Sequence, residues 1–294
     1  MENIKHTDMN PEKNKVEGGT LYLVATPIGN LADLSERAIK VLSEVDFVAA
    51  EDTRNSGLLL SRFGISKPFV SYFEHNKRER GEYIVSRLKA GESCALVTDA
   101  GMPAISDPGE DIVRLCAEVG VPVTAVPGCC AAVTALALSA LTTGRFAFEG
   151  FITTNRHDRR ERLTALKYEE RTMIFYEAPH KLRQTLDDIL EFMGDRRITL
   201  CREMTKLNEE IIRTTVSEAV EMYKEKNPRG EYVLVLEGGI KEDRSEEYPS
   251  DPEEHVKMYE AQGMKRMDAI KAAAKDRGVS KGVLYKELLG EDNT

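Results

Sequence analysis

From Thr20 onward the chain alternates between short, continuously apolar runs and longer stretches in which apolar residues recur every three or four positions. TLYLVAT (20–26), DFVAAE (46–51), PFVSYF (68–73), CALV (94–97) and VPVTAV (121–126) are of the first kind. Successive strand side chains point to opposite faces, so a run that is apolar throughout predicts a strand buried on both sides. Between these runs, LADLSERAIKVLSEV carries Leu34, Ala38, Leu42 and Val45 at helical spacing. NSGLLLSRFG, RERGEYIVSRLKAG and EDIVRLCAEVG end at Gly64, Gly91 and Gly120, as helices that close on a glycine do. Strands and helices in this alternation predict a parallel sheet covered on both faces.

The second half repeats the alternation less cleanly. AAVTALALSAL (131–141), RRERLTALKYEE (159–170) and HKLRQTLDDILEFMG (180–194) read as helices. FAFEGF (146–151), TMIFYE (172–177), ITLCRE (198–203) and EYVLVLEGG (231–239) read as strands. The expectation is two α/β domains, 20–128 and 129–240, cut near Pro127–Gly128, after a polar, disordered tail over 1–19. Residues 241–260 hold three basic and eight acidic residues together with Pro249 and Pro252, which predicts a linker over 241–252. Residues 261–290 reverse the balance, with seven basic and three acidic residues, and 253–294 is read as a basic helical appendage. Ala274, Gly278, Val279 and Leu284 have helix-turn-helix spacing, and a plain helical hairpin packed on its own domain fits them equally well.

Composition narrows the function. With 41 Lys and Arg against 50 Asp and Glu the chain has a net charge of −9, so contact with nucleic acid has to come from local patches. A hydrophobic share of 41% is enough for true cores. AAVTALALSAL is too short to span a bilayer, and the first nineteen residues lack the apolar stretch of a signal peptide, so a soluble cytoplasmic protein is expected. The five cysteines, Cys94, Cys116, Cys129, Cys130 and Cys201, show neither a CxxC pair nor a histidine at zinc spacing, and no metal site is expected.

In open parallel sheets ligands bind beyond the carboxyl ends of the strands. The segments there are TPIGNLAD, EDTR, DAGMPAISDPG and PGCCAA, four loops rich in Gly, Pro and carboxylates converging on one edge. No P-loop, G-x-G-x-x-G or G-x-S-x-G stands among them. Glu51, Asp52, Asp99 and Asp107 suit Mg²⁺ as well as a small organic ligand. Gly29, Gly101 and Gly128 would let backbone approach such a ligand closely.

ATPIGNLADLSERA, AAEDTR, TDAGMPAISDPG, VPGCCAAVTALALSAL, FEGF, IFYEAPH and CREMTK, in this order over about residues 20 to 240, resemble the tetrapyrrole-methylase superfamily. More narrowly they resemble its ribosomal branch, the small-subunit (16S) rRNA cytidine ribose 2′-O-methyltransferases, whose C-terminal appendage is also similar. The resemblance implies an α/β fold of two domains with a cofactor cleft between them, S-adenosyl-L-methionine as methyl donor, a homodimer, and 16S rRNA or the 30S subunit as partner. It places Pro27, Gly29, Asn30, Asp99, Ala100, Gly101, Pro103, Ile105, Pro127, Gly128, Ala131, Tyr176, Ala178 and Pro179 around the cofactor. Asp99 and the carbonyls of its turn suit a sulfonium cation, while Ala131, Ile105 and Phe148 suit an adenine.

A ribose hydroxyl is a poor nucleophile, so a base or an oxyanion stabiliser beside it would help. Glu51, Asp52, Arg54, His75, Arg202, Glu203 and Lys206 are candidates. The catalytic set is read as Glu203, Lys206 and Asp52, with Glu203 accepting the proton, Lys206 steadying the alkoxide, and the base itself left open. Arg156, Arg159, Arg160 and Arg162, together with Arg54 and Arg202, are read as RNA contacts, and residues 76–89 form a second basic patch. Two other readings stay open: C-methylation of a tetrapyrrole precursor in cobalamin or sirohaem synthesis, and a non-catalytic RNA-binding assembly factor.

Overall fold

The computed structural model describes residues 15–239 and 248–289. The tail expected over 1–19 lies outside the described residues as far as residue 14, the linker expected over 241–252 as far as residue 247, and the appendage beyond residue 289. The chain divides at Gly239 into two compact units.

The larger unit holds two sheets. The first contains β1 (Leu21–Val24), β2 (Phe47–Ala50), β3 (Phe69–Ser71), β4 (Cys94–Val97) and β5 (Val123–Val126) in the order β3-β2-β4-β1-β5, every pairing parallel. Helices α1 (Glu36–Glu44), α2 (Thr53–Arg62), α3 (Lys77–Lys89) and α4 (Glu110–Glu118) alternate with the strands. Neighbouring residues of one strand enter different cores. Tyr22, Val48 and Ala95 pack with Val41, Leu42 and Leu60, while Leu21, Phe47 and Leu96 pack with Ile84, Leu88 and Ile112. That double burial is the reason β1, β2 and β4 are apolar at every position.

The chain leaves β5, enters α5 (Ala131–Leu138), and builds the second sheet from β6 (Phe146–Phe151), β7 (Thr172–Glu177), β8 (Arg197–Arg202), β9 (Glu210–Thr215) and β10 (Tyr232–Leu236). Helices α6 (Arg156–Leu166), α7 (Leu182–Met193) and α8 (Val216–Glu225) complete it. The order is β6-β7-β10-β8-β9, and only β6 and β7 run parallel. Strand β9 and helix α8 are additions to the pattern reading. EIIRTT is an edge strand with no fully buried residue, so it lacks the apolar run that betrays the others. Helix α8 does carry a local signal: Thr215 and Glu218 form a reciprocal capping box ahead of buried Val216, Ala219 and Tyr223.

The described residues of the smaller unit form a cluster of three helices, α9 (Pro252–Ala261), α10 (Arg266–Asp276) and α11 (Lys281–Leu288), around Val256, Ile270, Ala273, Ala274 and Leu284. Its last two helices are those the spacing anticipated, turning at Gly278 with φ +66°. Among the described residues no helix is long and apolar enough to cross a membrane.

Candidate active site

The loops leaving the first sheet are tied to one another. Thr26, after β1, forms an isolated antiparallel bridge with Gly101, after β4: the Thr26 N–H donates to the Gly101 carbonyl (2.9 Å), and the Gly101 N–H donates back (3.1 Å). The Thr26 hydroxyl donates to the Thr98 carbonyl at 3.0 Å. A Cβ on Gly128 would lie 2.8 Å from that of Ala25, so the turn after β5 can sit against β1 only with glycine there. Backbone strain gathers in two of the loops. Of the described non-glycine residues with positive φ, Ala104 (66°) and Ser106 (61°) follow β4, while Glu203 (50°) and Thr205 (66°) follow β8. Such conformations cost about 1–3 kcal/mol each and persist where the surroundings impose them, commonly at functional sites.

These loops enclose a cavity of about 520 Å³. The first sheet contributes Ile28, Asp99–Met102 and Ile105–Asp107. Cys130 and Ala131 enter from the start of α5, Tyr176–His180 from the end of β7, Glu203, Met204 and Lys206 from the loop after β8, and Glu231–Val233 from the start of β10. The Tyr176 hydroxyl accepts from the Ala132 N–H (3.2 Å), and burial pushes its pKa up to about 12, so it stays a neutral fixture of the wall.

Eight of the residues expected around a cofactor line this cavity: Asp99, Ala100, Gly101, Ile105, Ala131, Tyr176, Ala178 and Pro179. Pro27, Gly29, Asn30, Pro103, Pro127 and Gly128 are not on its wall. Asn30 accepts from the Ala32 N–H at 3.1 Å and caps a short 3₁₀ turn. Gly29, at φ +155°, makes room for a side chain: a Cβ there would fall 2.4 Å from the Lys206 Cγ. Phe148, matched above to an adenine, packs edge-on against Tyr176 (centroids 5.1 Å apart) and is likewise not on the wall.

Glu203 and Lys206 do meet at the cavity. The Lys206 ammonium donates to Glu203 and to Glu231, each at 2.9 Å. The Glu231 N–H and Lys206 hold the Glu203 carboxyl below its ordinary range. Burial works against the charge on Lys206, yet the bonds from Glu231 and Glu203 outweigh it and raise its pKa. Near neutral pH the pair is therefore an ammonium held by carboxylates, and Glu203 is a weak proton acceptor.

Asp52 lies elsewhere. Its carboxylate caps α2, accepting from the Arg54 N–H (2.8 Å), and pairs with the exposed Arg54 side chain (3.1 Å). Both line a second hollow, with Glu51, Thr53, Ser71 and Phe73, that shares Asp99 with the first cavity. His75 is exposed and edge-on to Phe73. Asp107 is the most perturbed carboxyl of this edge: burial, reinforced by the negative charge of Glu51 and Asp99, pushes its pKa up to about 6. Glu51 is raised as well, by burial and by Asp99 and Asp52. Negative charge concentrated at a cavity mouth favours a cationic ligand.

The basic helix requires one correction. Arg159 is 7% exposed and does not face solvent: it pairs with Asp188 and donates to the Thr185 hydroxyl (2.8 Å), which in turn bonds Glu177. At the fourth position of an eleven-residue helix, it lies on the side that packs on α7 rather than beside Arg156 and Arg160. Arg156 and Arg160 are exposed, and Arg162 reaches Glu149 at 2.9 Å while remaining open to solvent. Arg202 is committed to the Arg229 carbonyl (2.7 Å) and to Glu210 (3.3 Å). In the second patch Lys77 is held by Glu74 and Asp111, and Arg87 by Glu92. Several wall residues were not singled out in the sequence reading, among them Ser106, Phe151, His180, Glu231, Tyr232 and Val233. His180 had a usable signal, a histidine directly after the strand-ending EAP, whereas Glu231 had none.

The model of the family described as Tetrapyrrole (Corrin/Porphyrin) Methylases matches residues 20–220, well over half of the chain. The chain belongs to the tetrapyrrole methylase family. Among curated tetrapyrrole methylase relatives it is similar to the proteins named Ribosomal RNA small subunit methyltransferase I of Halalkalibacterium halodurans, 47% identical over 91% of this chain and 93% of that one, and of Bacillus subtilis, 46% identical over 92% and 94%. The fold is that of solved tetrapyrrole methylases. Uroporphyrin-III C-methyltransferase from Thermus thermophilus superposes with a TM-score of 0.53 at 20% identity over 74% of this chain and 94% of that one, and a cobalt precorrin-4 methyltransferase with 0.54 at 17% over the same shares.

Proposed function

We propose that the chain is an S-adenosyl-L-methionine-dependent methyltransferase that methylates the ribose 2′-hydroxyl of a cytidine in 16S rRNA, as isolated rRNA or in the 30S subunit, acting in the cytoplasm as a homodimer. The observation that carries the reading is the ammonium of Lys206, held by Glu203 and Glu231 on the wall of a cavity that also presents Asp99 and Asp107. The names of the curated relatives and their coverage of nearly the whole chain support the same substrate class.

The cavity has the size of an ordinary small-ligand site and suits the donor's chemistry. Asp99, Asp107 and the carbonyls of the turn at Gly101 would hold its cationic and amino-acid end, and Ile105, Ala131 and Val233 would enclose its adenine. When bound, S-adenosylmethionine supplies a methyl group made electrophilic by the sulfonium. The protein's part is to hold the ribose oxygen in line, which is the main source of acceleration for a displacement of this kind. It also places the Lys206 ammonium, fixed before the reaction, where it would favour loss of the hydroxyl proton to water as the oxygen–carbon bond forms, the carbon–sulfur bond breaks and neutral S-adenosylhomocysteine leaves. Because Glu203 is held ionised, its first task is to orient Lys206.

Methyl transfer from labelled donor to 30S subunits, set against a tetrapyrrole precursor, tests the reading. Label in 16S rRNA at a ribose is expected, and label in the macrocycle alone would replace this reading with C-methylation. Calorimetry showing no donor binding at all would leave only a non-catalytic role.

Two further results are expected. Donor affinity, measured by calorimetry between pH 5 and 7.5, falls as the pH drops through about 6, because protonation of Asp107 removes a negative charge facing the cation. Asp107→Asn flattens that dependence at the lower affinity. Changing Arg156, Arg160 and Arg162 together to Gln weakens RNA binding and lowers the slope of log affinity against log salt by about 2, since each phosphate contact contributes roughly 0.7–0.9. Donor affinity stays unchanged in that variant.

A further inference from the structure

The pairing of β6 with β7 slips between Phe148 and Gly150. Phe148 lies opposite Ile174, Gly150 opposite Phe175 and Phe151 opposite Tyr176, so Glu149 is an extra residue and the strand bulges. Gly150 makes the bulge with φ +62°. In a regular strand, residues three apart face opposite sides of the sheet. Here the inserted residue returns Phe151 to the face of Phe148, and both rings stand edge-on to Tyr176, with centroids 5.1 and 5.5 Å away. Phe148 is half-buried against the core there, whereas Phe151 lines the cavity and is still 57% exposed. A bulge that spends a left-handed glycine to aim a large apolar ring into a wet cavity mouth does nothing for the core.

We infer that Phe151 is the platform on which the acceptor nucleotide stacks its base, once that base has left its neighbours in the RNA. The inference rests on the methyltransferase reading above and adds a substrate-positioning residue to it. Proteins that bind unpaired RNA combine an aromatic face for a base with cations for the flanking phosphates. Both occur together here: exposed Arg156 opens the helix that follows β6, and exposed Arg160 stands one turn further along. Tyr176, anchored by the Ala132 N–H, packs against the Phe151 ring at an interplanar angle of 64°, and more than half of the Phe151 side chain stays open for a base. Stacking accepts any base, so this contact positions the nucleotide while other groups choose it.

Phe151→Leu keeps an apolar side chain of similar bulk without a π face, and Phe151→Tyr keeps the face. Steady-state methylation of 30S subunits by wild type and both variants is compared, with donor affinity by calorimetry and thermal melting on each. Phe151→Leu is expected to raise KM for RNA by about 5- to 150-fold, the range of one base–aromatic stack, with donor affinity and melting temperature unchanged. Phe151→Tyr is expected to restore the wild-type KM. An unchanged KM in Phe151→Leu, or a loss of donor affinity matching the loss of RNA turnover, would overturn the inference. Wild type failing to methylate RNA at all would instead refute the underlying function, so the two failures are distinguishable.

Discussion

Lys206→Met is expected to lower the rate of methyl transfer by about 10²- to 10³-fold, the loss seen when one preorganised stabiliser of a developing oxyanion is removed, while donor binding is not weakened. Three features support so large an effect. The ammonium is fixed by two carboxylates at 2.9 Å, so it does not have to be found during the reaction. Its stem fills the space left by Gly29, where a Cβ would collide with it at 2.4 Å. Glu203, which holds it, has φ 50°, and Thr205, next to it in the chain, has φ 66°, conformations the backbone adopts only under constraint. Donor affinity should survive because removing a cation from a wall that faces a sulfonium relieves repulsion. Single-turnover rates with saturating donor measure the effect directly. A rate within threefold of wild type would remove Lys206 from the chemistry and leave only carboxylates, such as Asp99 and Asp107, as candidates among the charged wall groups.

The second large effect is on stability. Arg159→Ala is expected to cost about 3 kcal/mol, because it leaves Asp188, only 13% exposed, without its counter-charge and Thr185 without a donor. For a unit of this size that corresponds to a fall in melting temperature of about 10 °C, readable by calorimetry. The damage should extend to the cavity, since Thr185 also bonds Glu177, and the other Glu177 oxygen accepts from the Ala178 N–H at 2.8 Å. At a temperature where the variant is folded, its RNA affinity should show the wild-type salt dependence. A flattened salt slope with an unchanged melting temperature would return Arg159 to the RNA surface.

Arg159 shows where the sequence stops being informative. Four arginines within seven residues read as one basic face, but a helix turns by 3.6 residues, and which side packs on α7 is decided by tertiary contacts. The first sheet was legible because its inner strands β1, β2 and β4 are buried twice and therefore apolar throughout, and the less buried edge strands β3 and β5 remain mostly apolar. The second was legible only in part. β10 lies antiparallel between β7 and β8, an arrangement that apolar runs do not distinguish from a parallel one, and the half-exposed edge strand β9 left no run at all. The turn at Asp99–Gly101 was readable from its glycine and its place after a strand. Gly29 was readable as a glycine that must be one, although its partner is the Lys206 stem rather than the cavity. Phe151 could not be read: its direction depends on one extra residue in the ladder, and by simple alternation it points to the other side.

The cavity draws its wall from positions as far apart as Ile28 and Val233, and its two halves come from different sheets. During synthesis the early loops are made with nothing opposite them, and the last wall-forming strand, β10, inserts between β7 and β8, which are already made. A nascent chain thus has no place to hold a donor until nearly the whole α/β unit has emerged. A truncation before Tyr232 would lose ligand binding together with the centre of its second sheet, so donor-dependent protection from proteolysis should arise in one step late in translation.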